Sequence, residues 1–308
     1  MRFHLSQLAA IGVTALAVMG NAPLMAEPPE GWKLVFNDEF SGGELDAAKW
    51  NTTMAFAGIH GPRYHNEFYL SYTMDDDIIV GDDVLRLRTE RRTVEGAEAP
   101  GKFEYTQGLV TSHDKFSFTH GYIEIRAKFP GGKGLWPCLW LMPQHQGWPP
   151  EFDIAEYYST SRTMHHGLAY GPLTNTQWDS TRDAEHEHED GWHLYALEWM
   201  PGRAVWSVDC IPRKTILADY VPDVPMYVVL SNSVSSRVGV SGEPDATTVF
   251  PNDLQIDYVR VYQPAAAEKA AMVVADNKVP EGKAEIPKPV DVPTPDLDEV
   301  ADEDEATE

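Results

Sequence analysis

"WPPEFDIAEYY", residues 148–158, sets Glu151, Asp153 and Glu156 within a segment that is otherwise apolar and aromatic. Carboxylates are costly to desolvate unless they are paired or put to use. Read as a strand, the segment alternates. Glu151 and Asp153 share one face, Phe152 and Ile154 the other. Glu156 has the wrong parity by one. A β-bulge near Ile154-Ala155 inserts one extra residue and restores it, and bulges favour active sites. The stretch therefore predicts a bulged strand with three carboxylates on one face and an apolar face turned into a core.

The flanking sequence extends this reading. Short runs rich in Val, Ile, Tyr, Phe and Trp recur between Gly, Pro, Asp and Asn, with almost no helical periodicity. "DIIVGDDVLRLR" (77–88) predicts a hairpin turning at Gly81-Asp82-Asp83. "FSFTHGYIEIRAKF" (116–129) predicts a second around His120-Gly121. In its second strand Tyr122, Glu124 and Arg126 face one side, and Ile123, Ile125 and Ala127 the other. "LYALEW" (194–199), "AVWSVD" (204–209), "MYVVLSNS" (226–233) and "QIDYVRVY" (255–262) continue the series. Many short strands between turns predict an all-β sandwich or barrel.

Residues 27–263 are expected to form one domain. The first 26 residues read as a signal peptide: a basic start at Arg2, the apolar run "LAAIGVTALAVMG", and "APLMA" ending in small residues at Ala26. That predicts an exported protein, secreted or periplasmic, with no membrane span. Residues 264–308 change character. Positions 266–308 carry 13 Asp/Glu against 4 Lys, a net of −9, with five Pro and no aromatics. Such a segment buries too little apolar surface to offset chain entropy, so a disordered acidic tail is expected.

The chain's net charge of −24 argues against nucleic acid as a partner, which needs a basic footprint. Cys138 and Cys210 stand alone, so a disulfide-dense scaffold is excluded; the two can pair in an exported protein, but free buried thiols are expected at least as much as a bridge. Nine Trp and thirteen Tyr suit either a packed aromatic core or a platform for sugar rings.

Two carboxyl groups about 5–5.5 Å apart are the requirement of a retaining glycosidase, one as nucleophile and one as proton donor. Like charges that close raise one pKa and keep the acid protonated. A third carboxylate between them can orient the nucleophile. Trp136, Trp140 and Trp148 stand nearby to stack on sugar rings, and Asn66, Glu67, Arg126 and His193 are candidates for contacts to hydroxyls. One of His165 and His166 can also reach the cleft; "AEHEHED" (184–190) reads as a charged loop.

In this company the sequence resembles glycoside hydrolase family 16 across roughly residues 33–263. The resemblance is carried by "LVFNDEFSGGELDAAKW", "YTQGLVTS", "GYIEIRAKFPGGKGLWPCLWLMP", "WPPEFDIAEYY", "WHLYALEWMPGRAVWSVD" and "IDYVRVYQ", in that order. The E-x-D-x-x-E form is the bulged variant shared by the family's laminarinases, agarases, porphyranases and carrageenases. The resemblance implies a β-jelly-roll sandwich of two antiparallel sheets with a concave substrate cleft. It implies Glu151 as nucleophile, Asp153 as its helper and Glu156 as general acid and then base. It places Trp136 and Arg126 near the cleaved sugar, and Asn66 and Glu67 on the glycone side. Catalysis needs no cofactor, but many members bind one structural calcium, for which Glu39 and Asp257 match common ligand positions. Cys138 departs from the family's usual Ala, and Cys210 from its usual Gly.

The expected activity is internal hydrolysis of a β-linked polysaccharide by a monomer. β-1,3-Glucan is the leading substrate, with a marine galactan (agar, porphyran or carrageenan) as the alternative. A sulfated galactan requires basic residues in the cleft, for which Arg63, His65, Arg162, His165 and His166 are candidates. A transglycosylase and a non-catalytic polysaccharide-binding protein are the remaining readings.

Overall fold

A computed structural model describes residues 28, 31–55, 61–64, 66–145, 147–184 and 188–264. The expected signal peptide and acidic tail lie almost wholly outside them, as do His65 and His186.

Among the described residues there are seventeen strands. They begin with β1 (Trp32–Asp38), β2 (Ser71–Thr73), β3 (Ile78–Gly81), β4 (Val84–Glu90), β5 (Val94–Glu95) and β6 (Lys102–Phe103). Next come β7 (Tyr105–Thr111), β8 (Gly121–Lys128), β9 (Leu135–Pro143), β10 (Glu151–Tyr158), β11 (Thr163–Tyr170) and β12 (Gln177–Asp183). The last five are β13 (His193–Met200), β14 (Arg203–Val208), β15 (Ile211–Leu217), β16 (Met226–Val234) and β17 (Asn252–Pro264).

Their hydrogen-bonded order is β12-β11-β10-β9-β16-β7-β4-β17-β8-β13-β14-β15, with β1 on β17 and β3 on β4. The path doubles back after β7, and its two halves face each other as the layers of a jelly-roll sandwich. Between them lies one core. Leu139, Leu141, Phe152, Ile154, Leu168, Val228 and Leu230 enter it from the first layer, and Leu87, Ile123, Ile125, Tyr195, Leu197, Trp206 and Val259 from the second. Burying Phe152 and Ile154 alone contributes about 1.5–3 kcal/mol each. That fixes which way β10 faces, and so where its carboxylates point.

The 77–88 hairpin forms as read. β3 pairs with β4, and Asp82 and Asp83 take φ of 56° and 57° at its turn. The hairpin expected around His120-Gly121 does not form. Phe118 makes an isolated bridge to Met226, and the Phe116 and Phe118 rings stack with each other. Phe116 also stacks on Phe36, and Phe118 meets Trp199 edge-on. Those apolar residues pack against core side chains instead of pairing with β8. Both cysteines are free: Cys138 is buried and Cys210 is exposed, in the turn between β14 and β15.

Candidate active site

The bulge is present where parity requires it. Asp153 pairs with Gly167 of β11, and the next pair on that side is Glu156 with His165. Against β9, Asp153 faces Trp140 and Glu156 faces Cys138. One extra residue on β10 therefore turns Glu156 to the face of Glu151 and Asp153, away from the core.

A bulge leaves ladder groups unpaired, and here two side chains take them up. Trp206 Nε1, from the opposite layer, donates to Asp153 O at 2.8 Å. His166 Nδ1 lies 2.7 Å from Ile154 O. A carbonyl only accepts, so His166 carries its proton on Nδ1. Burial pushes its pKa down to about 4, which keeps the ring neutral. Gly167 supplies room opposite Asp153: a Cβ there meets Asp153 Oδ2 at 3.4 Å and His165 Cε1 and Ser180 Cβ at 3.2 Å.

Trp136 Nε1 donates to Glu156 Oε1 at 2.7 Å, and His165 Nδ1 lies 3.1 Å from Glu156 Oε2. The His165 ring stacks on Tyr158, with centroids 4.8 Å apart and planes within 11°. A carboxylate oxygen from each of Asp153 and Glu156 and a ring nitrogen of His165 lie within 4.8 Å of one another. Asp153 is buried, with Cys138 Sγ 3.9 Å from its Oδ1, and its carboxyl and the Trp148 side chain both act on the Glu151 carboxyl.

Burial, and then the Glu156 charge, pushes the Glu151 carboxyl up to about 8, against the Asp153 hydrogen bond and the Arg237 charge. Burial and the two glutamates raise Asp153 well above the usual carboxylate range. Asp153 is therefore the group that keeps a proton, which it donates to Glu151. The arrangement can present an oriented carboxylate on one side of a reacting atom and a second carboxyl, Glu156, on the other.

The sequence candidates divide between the two layers. Glu151, Asp153, Glu156, Trp136 and Trp148 come together. Trp148 packs on the cluster of Trp140, Met142 and Tyr227, 6.3 Å from Trp178. Asn66 and Glu67 border this group: Asn66 Oδ1 caps Phe68 N at 2.9 Å, and the Glu67 carbonyl accepts from Tyr64. Their segment reaches the cleft through Tyr69, whose ring meets Trp136 edge-on at 5.6 Å.

Arg126, His193 and His166 do not join the carboxylates. Ile125 and Ala127 turn into the core, so Arg126 points out of the far layer, where it holds Asp257 at 2.6 Å and lies over Trp192. His193 is held between Asp190 and Asp209, at 2.8 Å from each. His166 faces the interior and supports the bulge. Its parity matches the core residues Met164 and Leu168, a signal visible in the sequence. The calcium pair does not fit a cation either. Glu39 is bound through both oxygens by Arg260 (2.9 and 2.8 Å) and Asp257 by Arg126, so each carboxylate is already neutralised.

Two basic residues near this face were not among the sequence candidates. The Arg237 guanidinium lies 5.4 Å from the Trp136 ring and 5.2 Å from that of Phe68. Arg182 lies 5.7 Å from the Tyr158 ring. Neither stands in a patterned stretch of sequence.

The family model described as Glycosyl hydrolases family 16 matches residues 65–259. A beta-glucanase of Rhodothermus marinus is 31% identical over 255 residues, covering 75% of this chain and 85% of its own. A keratan-sulfate endo-1,4-beta-galactosidase of Sphingobacterium multivorum is also 31% identical, over 75% of this chain; the match spans 55% of that protein. Among solved structures, the catalytic domain of an endo-1,3-beta-glucanase (laminarinase) from Thermotoga petrophila superposes with a TM-score of 0.66 at 29% identity, covering 76% of this chain and 98% of that one. A bulged strand with three carboxylates, set in a jelly roll of this likeness, has one reading: the chain belongs to glycosyl hydrolase family 16 and is an enzyme that acts on O-glycosyl bonds.

Proposed function

We propose that the enzyme cleaves internal bonds of a β-glucan with retention, β-1,3-glucan first among them. The observation that carries this is the bulge that puts Glu151, Asp153 and Glu156 on one face. The similarity to a beta-glucanase and to a laminarinase supports the backbone.

Glu151 attacks the anomeric carbon as the glycosidic C–O bond breaks. Glu156 gives its proton to the departing oxygen, held toward it by Trp136. A covalent glycosyl–Glu151 ester results. Water then attacks the same carbon, Glu156 takes its proton, and Glu151 leaves as the carboxylate. Asp153, keeping its own proton, steadies the Glu151 oxygen through both steps. Export through residues 1–26 and action as a monomer complete the reading; the apolar run and small-residue end of that segment support export.

The likeness to a keratan-sulfate endo-galactosidase supports a second reading, a β-galactan backbone. Product sizing after incubation with laminarin, mixed-linkage glucan, keratan sulfate, agarose, porphyran and carrageenan separates the two. Oligosaccharides from laminarin are expected. Release from galactans alone contradicts the first reading.

A further inference from the structure

The cross-strand register draws a line through Glu156. Arg182 pairs with His165, His165 with Glu156, Glu156 with Cys138, and Cys138 with Ser231. Directly opposed residues share a face, so Arg182 stands on the catalytic face, two strands from Glu156. Neighbouring strands lie about 4.8 Å apart, which puts Arg182 roughly 10 Å away at the backbone. On the other side of Glu156, also two strands away, β16 ends at Val234, and Arg237 follows three residues later. Arg182 thus stands on the β11–β12 side of Glu156, and Arg237 on its β9 side, over the Trp136 ring that bonds Glu156. Both charges act on the hydroxyl of Tyr158.

These two lack what most arginines of the described residues have. Arg63 holds Asp75, Arg88 holds Asp253, Arg162 holds Glu189, and Arg260 holds Glu39. The arginines named from sequence as sulfate contacts, Arg63 and Arg162, are among these and are already neutralised. In a chain with a net charge of −24, carboxylates are plentiful. Yet among the described residues none lies within ion-pair distance of Arg182 or Arg237. Each guanidinium rests on aromatic rings instead, Arg182 on Tyr158 and Arg237 on Trp136 and Phe68. Stacking leaves the N–H fork of an arginine free, and that fork matches a carboxylate or sulfate group. The Arg237 charge also favours the ionised Glu151, without forming an ion pair with it, while Trp136 and His165 flank Glu156.

We propose that Arg237 and Arg182 are two anion-recognition positions on either side of Glu156, which receive acidic substituents on the glycan in the cleft. The shared chemistry is a planar or tetrahedral oxyanion, a carboxylate or a sulfate ester. The proposal rests on the endo-glycosidase reading of this cleft and adds that the polysaccharide in it carries negative charge.

The test uses one backbone in three forms: laminarin, carboxymethylated laminarin and sulfated laminarin, with the full chain and its Arg237→Gln, Arg182→Gln and double variants. The readout is the ratio of kcat/KM on an acidic form to that on the neutral form, in which any general loss of catalysis cancels. A charge-assisted hydrogen bond contributes about 1.5–3 kcal/mol, so each Gln variant is expected to lower the ratio at least about tenfold. Added salt should lower it in the wild type and much less in the double variant. The form that gives the larger ratio identifies sulfate or carboxylate. A ratio that does not change in the variants overturns the proposal. If no form of laminarin is hydrolysed, the β-glucan reading fails by itself. The same ratio, taken on sulfated carrageenan against neutral agarose or by retardation in gels holding them, then decides the anion positions, and no dependence on either arginine overturns them.

Discussion

Trp136 Nε1 and Glu156 Oε1 are 2.7 Å apart, and the same indole carries the Arg237 guanidinium on its face. One side chain thus holds the acid/base and supports a charge beside it. Trp136→Phe keeps most of the ring and removes the N–H. The bond lost is to a group that changes charge in the reaction and is worth about 1.5–3 kcal/mol. A kcat/KM lowered roughly 10- to 100-fold, mostly in kcat, is expected from steady-state rates on laminarin. Unchanged kcat contradicts a catalytic use of this bond.

Glu156→Ala removes the proton donor and leaves the nucleophile. General acid catalysis contributes roughly 10²- to 10⁴-fold, and a loss of that order is expected. Azide needs no base to attack the glycosyl–enzyme, so adding it should restore turnover with an activated aryl glycoside and yield a β-glycosyl azide. An α-azide, or full activity without azide, removes Glu156 from this role.

The carboxyl cluster makes stability depend on pH in a definite sense. Burial raises Glu151 from 4.5 to about 8 in the folded chain. A raised carboxyl favours folding below its unfolded pKa, and that contribution is lost as the pH climbs through the folded value. Asp153 acts in the same direction. Glu151→Gln cannot ionise and escapes this loss. At about pH 9 the variant should unfold later than the wild type by about 2 kcal/mol, a figure well below the full shift because the side chain is only half-buried. At about pH 4 the two should coincide. Chemical denaturation at both pH values reads this directly, and a variant less stable at the higher pH contradicts it. The same variant should be inactive.

Trp206 and His166 are predicted to control catalysis without touching substrate. They bond the carbonyls of Asp153 and Ile154 on the bulge. Trp206→Phe or His166→Leu leaves a buried carbonyl unpaired, at about 1–3 kcal/mol of stability. Both should lower kcat at least tenfold with KM little changed, since the carboxylates shift while the aromatic walls remain. His166→Asn, which keeps a donor, should recover part of the loss. Equal losses in the Leu and Asn variants contradict the hydrogen-bond account.

The acidic face was legible because strand alternation has a period of two and tolerates no slip. Glu156 on the wrong side of Ile154 forced one extra residue, and the register shows it there. Alternation also told which way Arg126 faces relative to Ile125, but not that β8 belongs to the layer far from β10. Parity gives a face; only pairing gives a layer. The hairpin read around His120 failed for a related reason. Phe116 and Phe118 alternate like strand residues, and their rings find Phe36 and Trp199 instead of a partner strand. Arg237 lies past a strand end, and Arg182 on an edge strand in which Trp178 is the one apolar residue. Neither position carries a hydrophobic pattern from which its place could be read.

The most direct test of the retaining triad is proton NMR of the anomeric signals during laminarin hydrolysis by the wild-type chain. The account predicts that new reducing ends appear first as the β-anomer and drift to the α form only by mutarotation. The α-anomer appearing first means inversion in one step, and contradicts Glu151 as nucleophile.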